Sequence, residues 1–287
     1  MKLRIKAYAK VNLTLDVLSK REDGYHEILS VMQSIDLADV IEFEKAKEIL
    51  FECDHERVPK GEENLIMKAF NTIRDRYFLN EGVKIKLFKN IPLAAGLAGG
   101  SADAAATIVA LDKLWNLNLT EKEMEEIASE VGSDVPFCLK GGTKLASGRG
   151  EKLQDLEGIP LNLLLVKPDL EISTKEVYTE WDDSGFKSLN STFLFVEALK
   201  KGDLLEIARN ISNDLERVTS QKYRVIEDIK KSLIEKGALS ASMTGSGPTV
   251  YGVFNDVEKL VRAYHDLKGV YPFVAISKTI DKGLEIL

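Results

Sequence analysis

The sequence predicts an α+β chain in two parts, and three observations carry that expectation. The N-terminal residues alternate apolar and polar with the period of a half-buried strand. In the middle, a second alternating stretch, a glycine-rich loop and an alanine-rich helical stretch follow one another. Beyond residue 160, an apolar strand, several helical stretches and a second glycine-rich loop make up a further set of elements.

Taken in order, residues 2–17 predict one or two strands with a kink near Ala9. Lys10 and Asn12 then share one face, while Val11 and Leu13 share the other. Taken alone, Lys10 is an ordinary solvated strand lysine. Asp23-Gly24 supplies a turn, and Tyr25 and His26 follow it. A loop histidine is usually unremarkable, but an aromatic beside a histidine also suits a flat base, by stacking and hydrogen bonding. Strands are expected at 30–44 and 49–53. A helix is expected at 64–77, with Leu65, Ala69, Ile73 and Tyr77 on one face.

The chain is organised around the segment Pro92-Leu93-Ala94-Ala95-Gly96-Leu97-Ala98-Gly99-Gly100-Ser101-Ala102. It follows the alternating stretch 83–88 and runs into a helical stretch at 104–115. Small residues let backbone N–H groups approach a ligand, and a helix start adds unpaired N–H groups and the positive end of its dipole. Such a site wants an anion, most often a phosphate. Ser101, at the expected helix start, has a hydroxyl able to cap N–H groups or meet a phosphate. A glycine cluster before a helix is otherwise simply a tight turn. The spacing is neither the Gly-x4-Gly-Lys-Ser/Thr of a P-loop nor the Gly-x-Gly-x-x-Gly of a dinucleotide fold.

Further on, Thr120 and Glu123 form a capping box for a helix to about Val131. Asp134 follows in a small-residue loop, where the plain reading is a helix N-cap. Ser147-Gly148-Arg149-Gly150 punctuates the chain, and a soft boundary near 150–160 divides it into 1–155 and 156–287. After an apolar strand at 161–166, helices are expected at 192–201, 203–215 and 223–236. Thr244-Gly245-Ser246-Gly247-Pro248 lies between two strand-like stretches, where a plain hairpin turn is the competing reading. A helix at 256–268 and a strand at 273–279 complete the tail.

Composition narrows the class. The chain has 287 residues, 44% apolar and 30% charged, as in ordinary globular proteins. A net charge of −7 argues against a general nucleic-acid binder. No apolar run is long enough for a membrane span and no signal-type segment follows the basic start, so no membrane partner and a cytoplasmic location are expected. Cys53 and Cys138 form no metal- or redox-like pair, which suits core thiols in a reducing compartment.

Three separated segments, Ala9-Lys10-Val11-Asn12, 92–106 and 244–248, resemble in that order the three signatures of the GHMP kinases. Asp23-Gly24-Tyr25-His26, Ser133-Asp134-Val135-Pro136-Phe137 and Asn213-Asp214-Leu215-Glu216 extend the likeness over nearly the whole chain. They point to the branch of the family that acts on a CDP-linked methylerythritol in the non-mevalonate route to isoprenoid precursors. The resemblance implies a two-domain GHMP kinase-like fold with ATP and substrate meeting in the cleft between domains. The N-terminal part would supply Lys10, the first glycine loop and Asp134, and the C-terminal part the Thr244 loop.

The resemblance also implies roles. Lys10 and Asp134 become the catalytic pair: Asp134 takes the proton of the substrate 2-hydroxyl, and Lys10 stabilises negative charge on that oxygen or on the γ-phosphate of ATP. Residues 92–102 hold ATP together with Gly245, Ser246 and Gly247, and Asn64 borders the adenine. Tyr25 and His26 hold the cytosine, with Asn12 and Thr174 as further substrate contacts. Ser101 is the candidate for Mg²⁺, since Ala102 stands where some relatives carry a second serine. The expected partners are ATP, Mg²⁺ and the CDP-linked alcohol, in a monomer or homodimer.

Overall fold

The structure, a computed structural model, describes residues 2–287. The N-terminal alternation forms one long strand, β1 (Lys2–Lys20), paired antiparallel with β2 (His26–Ala46) through the Tyr25 turn. The expected kink is a register shift: Tyr8 lies opposite Ala38, but Lys10 lies opposite Ser34. β3 (Leu50–Cys53) runs parallel to β4 (Gly82–Phe88), and β4 pairs antiparallel with β2. Between them, α1 (Leu65–Arg76) is capped by the Asn64 side chain, which accepts from Ile66 N. Its buried face is Ile66, Ala69, Phe70 and Ile73, and the predicted Leu65 and Tyr77 pack against the same core at its two ends, only partly buried.

After the glycine loop come α2 (Gly99–Trp115), α3 (Glu121–Val131) and α4 (Val135–Lys140). The predicted capping box opens α3, with Thr120 and Glu123 bonding each other's backbone N–H. β5 (Thr143–Ser147) and β6 (Lys152–Leu156) form a hairpin on β2 that the sequence reading passed over. Its short strands alternate too little to stand out from a loop.

β7 (Asn162–Lys167) begins the second sheet, followed by α5 (Thr174–Ser184), α6 (Thr192–Lys201) and α7 (Leu204–Arg209). The helix expected over 203–215 does not continue. Ser212–Asn213 is extended as β8, parallel to β1, and α8 (Asp214–Lys222) starts afresh with the Asn213 side chain on Leu215 N. α9 (Val225–Glu235), β9 (Ser240–Met243), β10 (Val250–Phe254), α10 (Val257–Leu267), β11 (Phe273–Lys278) and β12 (Leu284–Ile286) complete the chain. The second sheet runs β11-β7-β10-β9, all antiparallel, while the first runs β12-β1-β2-β4-β3.

Burying successive stretches of β1 in three different clusters holds the fold together. Ile5 and Ala7 join Phe43, Ile85 and Leu111 beneath the first sheet's helices. Leu15 and Val17 pack with Leu164, Ile226 and Phe254 of the C-terminal half. Val11 and Leu13 meet Leu163, Leu165 and Tyr251 in a third cluster between them. The last strand, β12, also returns to pair with β1. The two halves of the chain therefore share the strand that carries Lys10. No helix among the described residues is long and apolar enough to cross a membrane.

Candidate active site

Lys10 sits mid-strand on β1, nearly buried, and its ammonium faces Asp134 Oδ2 at 3.6 Å. It also donates to Asn12 Oδ1 at 2.6 Å, two residues on along the same strand face, as the strand period requires. Asn12 Nδ2 donates to Ser30 Oγ at 2.8 Å, so the amide has one orientation available, with its oxygen toward Lys10 and, at 3.4 Å, the Thr244 hydroxyl. Asp134 stands at the N-cap position of α4, where the sequence alone reads a cap. Its side chain makes no cap hydrogen bond. The carboxylate is instead about a third exposed and free to meet a ligand.

The glycine loops meet beside this pair. Lys10 N donates to Leu97 O, and Asn12 N to Thr244 Oγ1 at 3.0 Å. Thr244 Oγ1 reaches Gly96 O at 3.3 Å. Gly96 has φ +72°, and a Cβ there would overlap the carbonyl oxygen of Thr244, so only glycine allows the two backbones this approach. The second loop is a hairpin between β9 and β10, as the plain reading had it. It is also fixed from behind, since Asn213 Nδ2 donates to both Met243 O and Gly245 O at 2.8 Å and Glu216 Oε2 accepts from Met243 N. That gives the Asn213 and Glu216 motif a physical purpose. Ser246 bonds Thr174 at 2.8 Å, hydroxyl to hydroxyl.

The first loop turns on three residues of positive φ, Ala94, Gly96 and Ala98. α2 starts at Gly99, earlier than the expected 104, so Ser101 lies inside the first turn with a half-buried hydroxyl and is not its cap. Gly99 and Gly100 open α2, where first-turn N–H groups have no partner within the helix, and Gly100 is exposed. Asn64 is spent locally: its side chain caps α1 and donates to Pro59 O. It still flanks the loop, because its neighbour Leu65 lies 3.9 Å from where a Gly100 Cβ would stand.

Tyr25 and His26 part company. His26 is buried, bonds Asp182 Oδ1 through Nε2 at 2.6 Å and stacks on Tyr178 with ring centroids 4.7 Å apart. Tyr25 is exposed, with the Arg149 guanidinium 4.9 Å from its ring centroid. Both lead to Asp134. Burial, helped by the Asp134 charge, pushes the Tyr178 phenol well above its ordinary range. Gly150, next to Arg149, would bring a Cβ to 3.9 Å from Asp134 Oδ1. Tyr178, Asp182 and Arg149 were missed from sequence because they belong to distant elements. Cys138 is close by, but burial raises its thiol far out of reactive range.

Among the described residues no group of three or more His, Cys, Asp or Glu could hold a metal ion. A hollow of about 900 Å³ along Ile49, Arg74 and Phe78 lies at the far end of α1 and contains none of the predicted site residues.

The GHMP kinases N terminal domain family matches residues 64–142, and the GHMP kinases C terminal family matches residues 195–272. A 4-diphosphocytidyl-2-C-methyl-D-erythritol kinase of Caldanaerobacter subterraneus subsp. tengcongensis is 99% identical over 287 residues, 100% of both chains. One of Thermoanaerobacter pseudethanolicus is 63% identical over 99% of each. A crystal structure of 4-(cytidine 5'-diphospho)-2C-methyl-D-erythritol kinase superposes with a TM-score of 0.81 at 29% identity, covering 96% of this chain and 98% of the other. An L. major mevalonate kinase shares the fold at 19% identity, with a TM-score of 0.73 over 96% and 95% of the two chains. The chain belongs to the GHMP kinase family, in its 4-diphosphocytidyl-2-C-methyl-D-erythritol kinase branch.

Proposed function

We infer that this kinase transfers the γ-phosphoryl group of ATP to the 2-hydroxyl of 4-diphosphocytidyl-2-C-methyl-D-erythritol, releasing ADP and the 2-phosphate. The observation that carries the residue roles is the Lys10–Asp134 ion pair at the meeting of both glycine loops. Asp134 accepts the hydroxyl proton as that oxygen attacks the γ-phosphorus and the bond to the ADP leaving oxygen breaks. The Lys10 ammonium stabilises negative charge on the attacking oxygen and the transferring group. Asn12 serves by holding Lys10, since both ends of its amide are engaged within the protein.

Residues 92–102 cradle the ATP phosphates with the N–H groups of the α2 start, Gly245, Ser246 and Gly247 close the other side, and Asn64 lies toward the adenine. Mg²⁺ ordinarily reaches such sites on nucleotide phosphates and keeps several waters. The residues present fit that mode, since Ser101 offers a hydroxyl at the loop. His26 and Tyr178 line the cytosine pocket with Tyr25 at its rim, and Thr174 stands where the second loop meets the substrate. A pocket built to hydrogen-bond a base is left with unmet polar groups by an alcohol that lacks one, which disfavours mevalonate or homoserine. All of these groups come from one chain, so a monomer and a homodimer would present the same site. Cys53 and Cys138 are free thiols, in keeping with a cytoplasmic enzyme.

The test is ADP release with the CDP-linked alcohol, mevalonate and homoserine offered separately, with Asp134→Ala as control. Turnover with the CDP-linked alcohol alone, lost in the variant, is expected. Turnover with mevalonate or homoserine instead would keep the fold and remove the substrate assignment.

A further inference from the structure

Beneath the first glycine loop lies a buried ionic triad that the transfer chemistry does not use. Lys89, just past the end of β4, has an almost fully buried side chain that pairs with Asp39 of β2 and with Asp103 Oδ2 of α2, the latter at 3.1 Å. Asp39, fully buried, turns its other oxygen to the backbone, accepting from Asn90 N at 2.6 Å and Ile91 N at 2.8 Å. Those N–H groups are the entrance to the loop, and Asp103 stands just past the first turn of the helix that leaves it. A Cβ at Gly99 would stand 3.2 Å from the Lys89 ammonium. The three side chains thus grip the loop at both ends.

Two features make this more than core filling. Buried ion pairs seldom add net stability, because desolvation offsets the attraction, so stability alone gives little reason for three charges here. Asp103 Oδ1 is also buried without any partner, and burial drives that carboxyl well above the ordinary carboxylate range. Meanwhile the loop holds two alanines, Ala94 and Ala98, at positive φ. That conformation is costly for a residue with a Cβ and persists only where the surroundings impose it.

We propose that Lys89, Asp39 and Asp103 are positioning residues for the reaction, holding the 92–98 loop open to nucleotide phosphates in the absence of ligand. This rests on the reading that residues 92–102 hold those phosphates. Releasing either end lets the alanines relax, and the N–H groups turn away from the anion. The effect falls on ATP and not on the acceptor alcohol, because none of Lys10, His26, Asp134 and Tyr178 makes a hydrogen bond or ion pair with the triad.

The test compares Lys89→Met and the isosteric Asp39→Asn with the wild-type kinase, measuring KM for ATP, KM for the CDP-linked alcohol and thermal melting. Gly100→Glu runs alongside. Gly100 is exposed, and a Cβ there meets only the Leu65 side chain, at an ordinary contact distance of 3.9 Å, so the variant folds but sets a carboxylate in the loop's mouth. The proposal expects Gly100→Glu to abolish ATP binding. It expects the two triad variants, where folded, to raise KM for ATP about tenfold or more, as for a small misplacement of a positioning group. KM for the alcohol should change less than about twofold, within the ordinary scatter of context effects. Loss of ATP binding in Gly100→Glu with unchanged KM for ATP in the triad variants would overturn the proposal and leave the phosphate loop intact. Normal ATP binding in Gly100→Glu would instead remove the loop reading and the proposal with it. Failure of both triad variants to fold would make the triad a stability element only, and likewise overturn it.

Discussion

At the scale of single residues, what matters is which charges are left free. Asp134 occupies a cap position and does not cap, so its carboxylate remains available beside Lys10. Asp134→Asn should therefore lower kcat by about 10²–10⁴-fold, the usual contribution of a positioned base, with the dissociation constant for ATP nearly unchanged. Pre-steady-state and binding measurements on the same sample separate the two quantities, and a matching loss of ATP affinity would contradict the role. Asp182 supports a second prediction. Burial works to raise its carboxyl, but bonds from Lys20 and His26 outweigh it and hold the group below the ordinary range. A carboxylate depressed in the folded state contributes stability that is present above its unfolded pKa and lost as pH falls through its folded pKa. The stability that Asp182 contributes should thus be kept from neutrality down to the ordinary carboxylate range of about 4 and be lost only below it. Thermal melts against pH should show a shallower acid limb in Asp182→Asn, and an unchanged KM for the CDP-linked alcohol in that variant at neutral pH would separate Asp182 from the pocket. Lys10, Asp134 and His26 stood out in the sequence because short motifs surround them. Asp182 did not, because 156 residues separate it from His26 and nothing local marks it.

At the scale of elements, the two glycine loops act as one object. Gly96 touches Thr244 and Gly247 backbone to backbone, and Asn213 holds the far loop through two carbonyls. Gly96→Ala adds a Cβ into the Thr244 carbonyl at a left-handed φ, so it should push the loops apart and lower kcat/KM for ATP at least tenfold, the scale of a small misplacement. Asn213→Ala leaves two buried carbonyls without their donor and removes the α8 cap, which should cost about 1–3 kcal/mol in denaturant melts. Wild-type behaviour in either variant would show that the loops do not depend on each other. Strand-loop-helix order and the capping box at Thr120 were legible because period and cap chemistry are local. The break of the expected 203–215 helix was not. Asn213 is extended there because β8 must lie against β1 and the Asn213 side chain must reach the second loop, and both demands are tertiary.

At the scale of the molecule, β1 and β12 tie the halves together. Leu15 and Val17 belong to the C-terminal core, and the last strand closes the first sheet. We expect fragments 1–155 and 156–287 to remain without fixed tertiary structure when expressed apart, by near-UV circular dichroism, and the whole chain to melt in one transition. An independently folded 1–155 would overturn that. The fold class and the family were legible in the sequence. The sharing of a strand between the halves was not, since the boundary near 150–160 marks only where the chain passes from one sheet to the next. The activity turns on one transfer between groups that this shared strand brings together. Its most direct test is phosphorus NMR of the product formed from ATP and 4-diphosphocytidyl-2-C-methyl-D-erythritol by the wild-type kinase and by Asp134→Asn. A monophosphate ester on the 2-oxygen, in step with ADP, is expected from the wild type and should be nearly absent with the variant. A phosphate on another oxygen, ADP with no new ester, or equal rates from both proteins would contradict it.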